Sequence, residues 1–339
     1  MNKRIIITEF GGPEVLELIE DAELPMPAAG EVRVKVLAAG TGFTDTIIRQ
    51  GQYVDVKDKP PFTPGYDWYG VIDALGEGVD TLEIGQPVAD MPVIGAYCQY
   101  LCVSAKQVVP APEGLDPAEA VAMVLSYTTA YQMLTRVAKV KKGQSILVHA
   151  AGGAVGTAVL DLARAMELKV YGTASEAKHE LVKSFEASPI DYRNEDFVEA
   201  IDRYTEGRGV DVVLDTIGGA YWSRSYQCLA KGGILVAFGA LQLTNGQEKL
   251  PSLLLGFAKL MLLWRLLPDG KRSTFYNIQK DRLKHPQEFS EDLQSLFAML
   301  AAGRIKPAIA GRRPLADALE VHQLIDSADI PGKIVLLPN

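Results

Sequence analysis

Cysteine and histidine are scarce in this chain of 339 residues, which has three cysteines (Cys98, Cys102, Cys228) and four histidines (His149, His179, His285, His322). So few thiols, in odd number, exclude a disulfide scaffold and suit a reducing compartment, so a cytoplasmic protein is expected. Positive charge is short as well: 34 Lys+Arg against 42 Asp+Glu give a net charge of −8, the wrong sign for a surface that holds nucleic acid. No apolar run reaches the roughly 20 residues of a membrane span. The nearest, Leu250 to Leu267, is interrupted by Pro251, Gly256, Lys259 and Arg265 and reads as a buried or interfacial helix. Met1-Asn2-Lys3-Arg4 runs straight into Ile5-Ile6-Ile7 without the long apolar core of a secretory signal.

With 48% hydrophobic and 22% charged residues the chain can build real cores, and at roughly 150 residues per domain its length predicts two. Up to about residue 120 it consists of short β-rich runs (Val32 to Leu37, Gly70 to Ala74, Pro87 to Ala89, Tyr97 to Val103) separated by Gly and Pro. Ala118 to Val124 and Thr128 to Val137 read as helical, and then strands and helices alternate. The strands are Ser145 to Val148, Lys169 to Gly172, Val210 to Asp215 and Ile234 to Phe238; the helices are Gly156 to Glu167, Glu176 to Phe185, Phe197 to Thr205 and Ala220 to Leu229. That rhythm predicts βαβ units and a doubly wound parallel sheet covered on both faces. Helices over Phe289 to Ala302 and Leu315 to Ser327 and a strand over Gly332 to Leu336 close the chain.

The strand Ser145 to Val148 opens into His149-Ala150-Ala151-Gly152-Gly153-Ala154-Val155-Gly156 and then a helix. Read from Ala151, this is A-x-G-x-x-G in the strand–turn–helix context of a dinucleotide fingerprint. Gly153 lets backbone amides approach a pyrophosphate, and Gly156 lets the helix pack closely on the strand. A glycine turn alone is often merely structural; here the surrounding βαβ rhythm decides. At the end of the next strand, Ala174 stands where an NAD-selective carboxylate belongs, while Ser175 and Lys178 can donate to a 2′-phosphate. NADPH is therefore the expected cofactor, with Glu176 the one nearby residue that argues for NADH.

These residues resemble the medium-chain dehydrogenase/reductase superfamily and, within it, the zinc-free quinone oxidoreductases related to zeta-crystallin. The resemblance runs from Gly11-Gly12-Pro13-Glu14-Val15-Leu16 through Asp45 to Tyr53, Pro64-Gly65, Gly76-Glu77-Gly78-Val79 and the glycine turn. It continues through Ile190-Asp191-Tyr192-Arg193, Asp215-Thr216-Ile217-Gly218-Gly219, Gly232-Gly233, Phe238-Gly239 and Gly332 to Leu336. It implies a GroES-like β-barrel catalytic domain (1–124 and 281–339), a Rossmann domain (125–280) with an apolar insert at 250–272, and an active site in the cleft between them. It implies, too, that Tyr192 joins Ser175 and Lys178 around the 2′-phosphate, and that Thr129, Ile217, Gly218, Phe238, Gly239, Ala240 and Lys333 approach the cofactor. Relatives that bind catalytic zinc carry a cysteine at the site of Gly42 and Gly-His-Glu at Gly65-Tyr66-Asp67, so no metal is expected here. Cys98 and Cys102 are read as buried thiols.

Without a Lewis acid, the chemistry this resemblance leaves is hydride delivery from NADPH to an acceptor that is already electrophilic, a quinone or an α,β-unsaturated carbonyl. Tyr53, which matches a tyrosine lining the family's substrate cleft, is the candidate proton donor or oxyanion stabiliser. Gly42 stands where quinone reductases of this kind carry an asparagine; Thr41 and Thr44 are the nearby hydroxyls that could replace its amide. Three roles are open to the 250–272 segment: roofing the cleft, extending a dimer interface, and touching a membrane surface as a peripheral helix. A strand over Ser273 to Ile278 is expected to pair across a two-fold axis in a homodimer. The rival reading is a nucleotide-binding but catalytically idle protein that docks a partner or lipid surface through the apolar segment.

Overall fold

The computed structural model describes residues 1–239, 241 and 250–338, with the side chains of 250–253 and 265 left aside. The chain forms two compact units, Met1–Thr128 with Gln287–Asn339, and Thr129–Pro286. The divisions fall four and six residues later than the sequence suggests. The first lies inside an unbroken helical run, Pro117 to Ala138, and the second follows the helix Ile278–Lys284, which Asn277 caps by accepting from the Lys280 amide at 2.9 Å.

In the first unit, the alternating text Glu31–Gly40 becomes a strand whose every second side chain is buried up to its C-terminal end, as one face packed on a core requires. It pairs antiparallel with Trp68–Leu75, Tyr100–Ser104 and Lys333–Leu337. Ile309–Pro314 lies parallel to that last strand, so the chain's end completes the sheet begun near its start. Ile5, Val34, Val36, Trp68, Tyr97, Val321 and Leu336 belong to one core. Cys98 is buried in it, while Cys102 is only half-buried on the strand opposite Arg33, which corrects the reading of both thiols as buried.

The second unit is built on six parallel strands: Ser145–Val148, Lys169–Ala174, Ser188–Asp191, Val210–Asp215, Leu229–Ala237 and Arg272–Phe275. Taken in chain order they lie third, second, first, fourth, fifth, sixth, the doubly wound order whose switch point falls between the first and fourth strands. The fifth strand starts at Leu229, not Ile234, because Gly232 at φ +81° belongs to a bulge within it and does not end it. The sixth ends at Phe275, and Ile278, expected as strand, begins a helix instead.

The apolar segment turns out to join the fifth and sixth strands: a helix over Leu250–Ala258 runs on as a π-helical turn, Lys259–Leu263, and a short 3-10 turn, Trp264–Leu266. Its inner face is core. Phe257 meets Trp222 edge-on at 4.9 Å, Trp264 stacks on Tyr226 at 4.4 Å, and Leu260 is fully buried, a side chain whose burial contributes about 1.5–3 kcal/mol. Its outer face leaves Leu254, Leu255, Leu262, Leu263, Leu266 and Leu267 exposed. Among the described residues no helix is long and apolar enough to cross a membrane.

Candidate functional site

The glycine turn is shaped by close backbone approach. A Cβ on Gly156 would lie 2.3 Å from the Ala150 carbonyl oxygen and 2.7 Å from the Ala151 backbone, so only glycine lets the helix Ala154–Ala165 begin against the turn. Around Gly153 there is room, with nothing nearer than the Ala150 carbonyl at 3.4 Å. Gly153 is the N-cap and no side chain caps this helix. The first-turn amides of Ala154, Val155 and Gly156 thus carry the positive end of the helix dipole with no intrahelical acceptor, which fits a pyrophosphate. Lys178 lies over the turn, its Cδ 2.6 Å from where a Gly152 Cβ would stand.

The parallel register of the second and third strands sets Asp191 beside Ala174, and this brings Ser175 and Tyr192, each the next residue on, to neighbouring strand ends. Tyr192 is 46% exposed, with the Arg193 guanidinium 5.8 Å over its ring. Asp191 turns inward to its own loop, accepting from the Arg193 amide and the Asn194 side chain, bonds that hold its carboxyl below the usual range. The position expected to carry an NAD-selective acid is the buried Ala174, and Glu176 is exposed. Ser175 and Tyr192 thus stand at adjacent strand ends with Lys178 over the turn and Glu176 and Arg193 next in sequence; the hydroxyls and the ammonium are donors of the kind that suits a 2′-phosphate.

Across the switch point, Asp215 shapes the loop after the fourth strand by accepting from the amides of Ile217 and Gly218 at 2.8 and 3.2 Å. Phe238 bonds through its amide to the Asp215 carbonyl, and Gly239 sits where a Cβ would meet the Thr216 hydroxyl at 2.4 Å, so these strand ends run side by side. Ala240 lies outside the described residues. Thr129 has a buried hydroxyl without a hydrogen-bond partner among the described residues, an orphan that a bound nucleotide could satisfy.

Sequence reasoning passed over the group beneath this rim. Ser225 donates to Asp215 at 2.6 Å, so its oxygen accepts from His149 Nε2 at 3.0 Å, and His149 Nδ1 accepts from Thr173 at 3.0 Å. This assignment needs a neutral imidazole, and burial holds the His149 pKa down against the pull of Asp215. The missed signal was His149 directly after the three apolar strand residues Ile146, Leu147 and Val148, where a buried polar group must find partners.

The first unit holds Tyr53, Gly42 and Lys333. Tyr53 is half-buried and its hydroxyl lies 2.8 Å from that of Tyr66, which is 1% exposed. Lys333 is buried, with Nζ 3.6 Å from Asp67 and 3.5 Å from Ser126. Asp67 also accepts from the Leu125 amide, and Gly40 makes room for its carboxylate, which a Cβ there would meet at 2.2 Å. Asp45, at the start of the helix Phe43–Arg49, accepts from the Gly42 amide at 2.9 Å. Burial, reinforced by the neighbouring Asp67, pushes the Asp45 pKa up to about 8. Thr41 spends its hydroxyl on the Ile334 carbonyl at 2.7 Å, whereas Thr44 is half-buried.

At the positions where zinc-binding relatives keep ligands, Gly42 offers no side chain, the Tyr66 hydroxyl is bonded to Tyr53, and Asp67 is paired with Lys333. That donor set does not fit a zinc ion. Among the described residues, no group of three or more His, Cys, Asp or Glu could hold a metal.

Comparison with known proteins agrees with this architecture. The alcohol dehydrogenase GroES-like domain family matches residues 28–113, and the zinc-binding dehydrogenase family matches residues 186–336. Quinone oxidoreductase of Homo sapiens is 30% identical over 99% of this chain and 97% of its own length. Synaptic vesicle membrane protein VAT-1 homolog-like of Homo sapiens is 35% identical over 98% of this chain and 80% of its own. The crystal structure of Escherichia coli quinone oxidoreductase complexed with NADPH superposes with a TM-score of 0.87 at 30% identity, covering 99% of this chain and 100% of that one. The two units are accordingly a GroES-like domain and a Rossmann domain.

Proposed function

The chain belongs to the zeta-crystallin-like quinone oxidoreductase family of the medium-chain dehydrogenase/reductases, and from that premise we propose that it is a zinc-independent, NADPH-dependent oxidoreductase. Its acceptor is a quinone or an α,β-unsaturated carbonyl. One observation carries the cofactor reading: Ser175 and Tyr192 stand at adjacent strand ends with Lys178 over the glycine turn, and Ala174 takes the place of an acid.

When bound, NADPH supplies the hydride. The amides of Ala154, Val155 and Gly156 hold its pyrophosphate, which Gly152 and Gly153 leave room to approach, Ser175, Lys178 and Tyr192 its 2′-phosphate, and Ile217, Gly218, Phe238 and Gly239 its path along the strand ends. Thr129 and Lys333 complete the proposed contacts, the first through its orphaned hydroxyl. Tyr53 offers its hydroxyl proton to the acceptor oxygen, which becomes negative as hydride reaches the conjugated carbon. The donor set described above supports the zinc-independent reading: with Gly42 offering no side chain, Tyr66 bonded to Tyr53 and Asp67 paired with Lys333, reversible alcohol oxidation is left without its Lewis acid.

Titrating the purified chain with NADPH and NADH by fluorescence, then following NADPH oxidation with quinones and enones, tests this reading. We expect tighter binding of NADPH and turnover on at least one panel. NADH binding as tight as NADPH would overturn the assignment of Ser175, Lys178 and Tyr192. Tight NADPH binding with no turnover would favour a second reading, a nucleotide-binding docking protein, for which the exposed leucines between Leu254 and Leu267 speak. The strand Arg272–Phe275 ends the sheet on one side; we propose that a second copy pairs there, in a cytoplasmic homodimer whose mass light scattering would report.

A further inference from the structure

Two phenols meet in the first unit, and their burial differs. Gly65, at φ +107°, packs so closely that a Cβ would lie 2.4 Å from the Tyr97 ring, and this turn sends Tyr66 inward until it is 1% exposed. Its hydroxyl lies 2.8 Å from Tyr53, the rings edge-on with centroids 6.0 Å apart at 85°. Tyr53 is half-buried.

Either hydroxyl could donate on distance alone, but burial decides. Were Tyr53 the donor, the Tyr66 proton would be left in the interior without an acceptor among the described residues, the costlier error for a buried donor. With Tyr66 as donor, its proton is satisfied and the Tyr53 proton turns to the accessible side, where water or a ligand can accept it. Donation into the Tyr53 oxygen also polarises its O–H bond and strengthens it as a donor.

We propose that Tyr66 is a positioning residue: it donates to the Tyr53 oxygen, fixes the direction of the Tyr53 proton, and so readies that proton for the carbonyl oxygen of an electrophilic acceptor. The catalytic part of this inference rests on the oxidoreductase reading above; the hydrogen-bond direction does not. Burial raises the Tyr53 pKa and its bond with Tyr66 draws it back, while burial and the neighbouring Tyr53 hold Tyr66 well above the ordinary phenol range. Tyr66 thus stays protonated wherever Tyr53 is needed as a donor. A simple enolate is more basic than a hydroquinone anion, so enone reduction depends more on the aimed proton than quinone reduction.

The test compares Tyr66→Phe, Tyr53→Phe and the double variant in the full chain. With tyrosine labelled at 13Cζ, the Tyr53 resonance is assigned by its loss in Y53F. We expect it to titrate at higher pH in Y66F; an unchanged titration overturns the proposal whether or not the protein turns over any acceptor. Stability supplies a second readout. Y53F strands the buried Tyr66 proton and is expected to lower Tm by about 2–4 °C, whereas Y66F, which leaves Tyr53 free to bond water, lowers it less; the reverse order also overturns the donor assignment. In kinetics on an enone, Y66F is expected to reduce kcat roughly fivefold, as loss of one ordinary hydrogen bond would, with KM for NADPH unchanged. The double variant should be no slower than Y53F, and additive losses would show that Tyr66 does not act through Tyr53. A wild-type chain that binds NADPH and reduces neither acceptor class removes the oxidoreductase reading and the catalytic role with it, and leaves the titration to decide the bond direction.

Discussion

Each unit buries a polar network, and the two are finished differently. In the Rossmann unit, Thr173, His149, Ser225 and Asp215 form a chain in which a neutral imidazole satisfies both neighbours and Asp215 spends its other oxygen on the Ile217 and Gly218 amides. In the GroES-like unit, the buried Lys333 pairs with Asp67 while its charge also bears on the neighbouring Asp45, and one oxygen of each carboxyl has no hydrogen-bond partner among the described residues. A satisfied network rigidifies what it touches. An unfinished one relieves itself by taking up a proton, and burial accordingly raises the pKa values of both Asp45 and Asp67. The first network braces a loop; the second is where this fold stores titratable charge.

The sharpest way to break that contrast is to remove the lysine. Lys333→Met leaves Asp67 buried opposite no cation, and losing one partner of a buried pair costs about 3–5 kcal/mol. Equilibrium urea unfolding should show a loss of that size near pH 8 and a smaller one near pH 5, where Asp67 can take up a proton. An equal loss at both pH values would mean that Asp67 does not titrate in the folded chain.

An effect of opposite sign is expected from Asp45→Asn. The folded-state pKa of Asp45, about 8, lies above its unfolded value of 3.8. Its contribution to stability is therefore complete below pH 4 and is lost as pH rises toward 8, where the unfolded chain has released a proton that the folded one retains. Asparagine cannot ionise, and its carbonyl can still accept from the Gly42 amide. The urea midpoint of D45N should accordingly exceed that of the wild type by a margin that widens from pH 5 to pH 8 and then levels. A margin independent of pH would show that Asp45 is already ionised.

The same contrast explains what could be read from the sequence. The parallel sheet and the glycine turn were legible because backbone constraints leave local marks: Gly156 is required by the Ala150 carbonyl, and buried strands such as Ser145–Val148 are short, mostly apolar runs. The grouping of Ser175 with Tyr192 is set by a strand register, Asp191 against Ala174, that no local pattern encodes; family resemblance supplied it. The lysine cluster joins residues more than 200 positions apart, Lys333 with Ser126 and Asp67, and only Asp67, a lone acid between Tyr66 and Trp68, carried a hint. The apolar segment was legible as a helix too hydrophobic for water. Its place between the fifth and sixth strands was not, because hydrophobicity on both faces conceals which face is core.

A smaller loss of stability than that of Lys333→Met sharpens the comparison from the satisfied side. Ser225→Ala removes one hydroxyl and deprives both His149 Nε2 and Asp215 Oδ2 of a partner in a fully buried place, which costs about 1–3 kcal/mol in urea unfolding. The two groups are 4.0 Å apart, too far for a direct bond. Protonating His149 would create an ion pair with Asp215, so part of the loss should be recovered on acidification, opposing the burial that now depresses its pKa. Asp215 also holds the Ile217 and Gly218 amides, so a carboxylate freed from Ser225 loosens that loop. S225A is thus expected to weaken NADPH binding severalfold by fluorescence titration, whereas D45N leaves NADPH binding unchanged. If S225A bound NADPH as the wild type does, the network would be bracing the core and not the loop beside the cofactor.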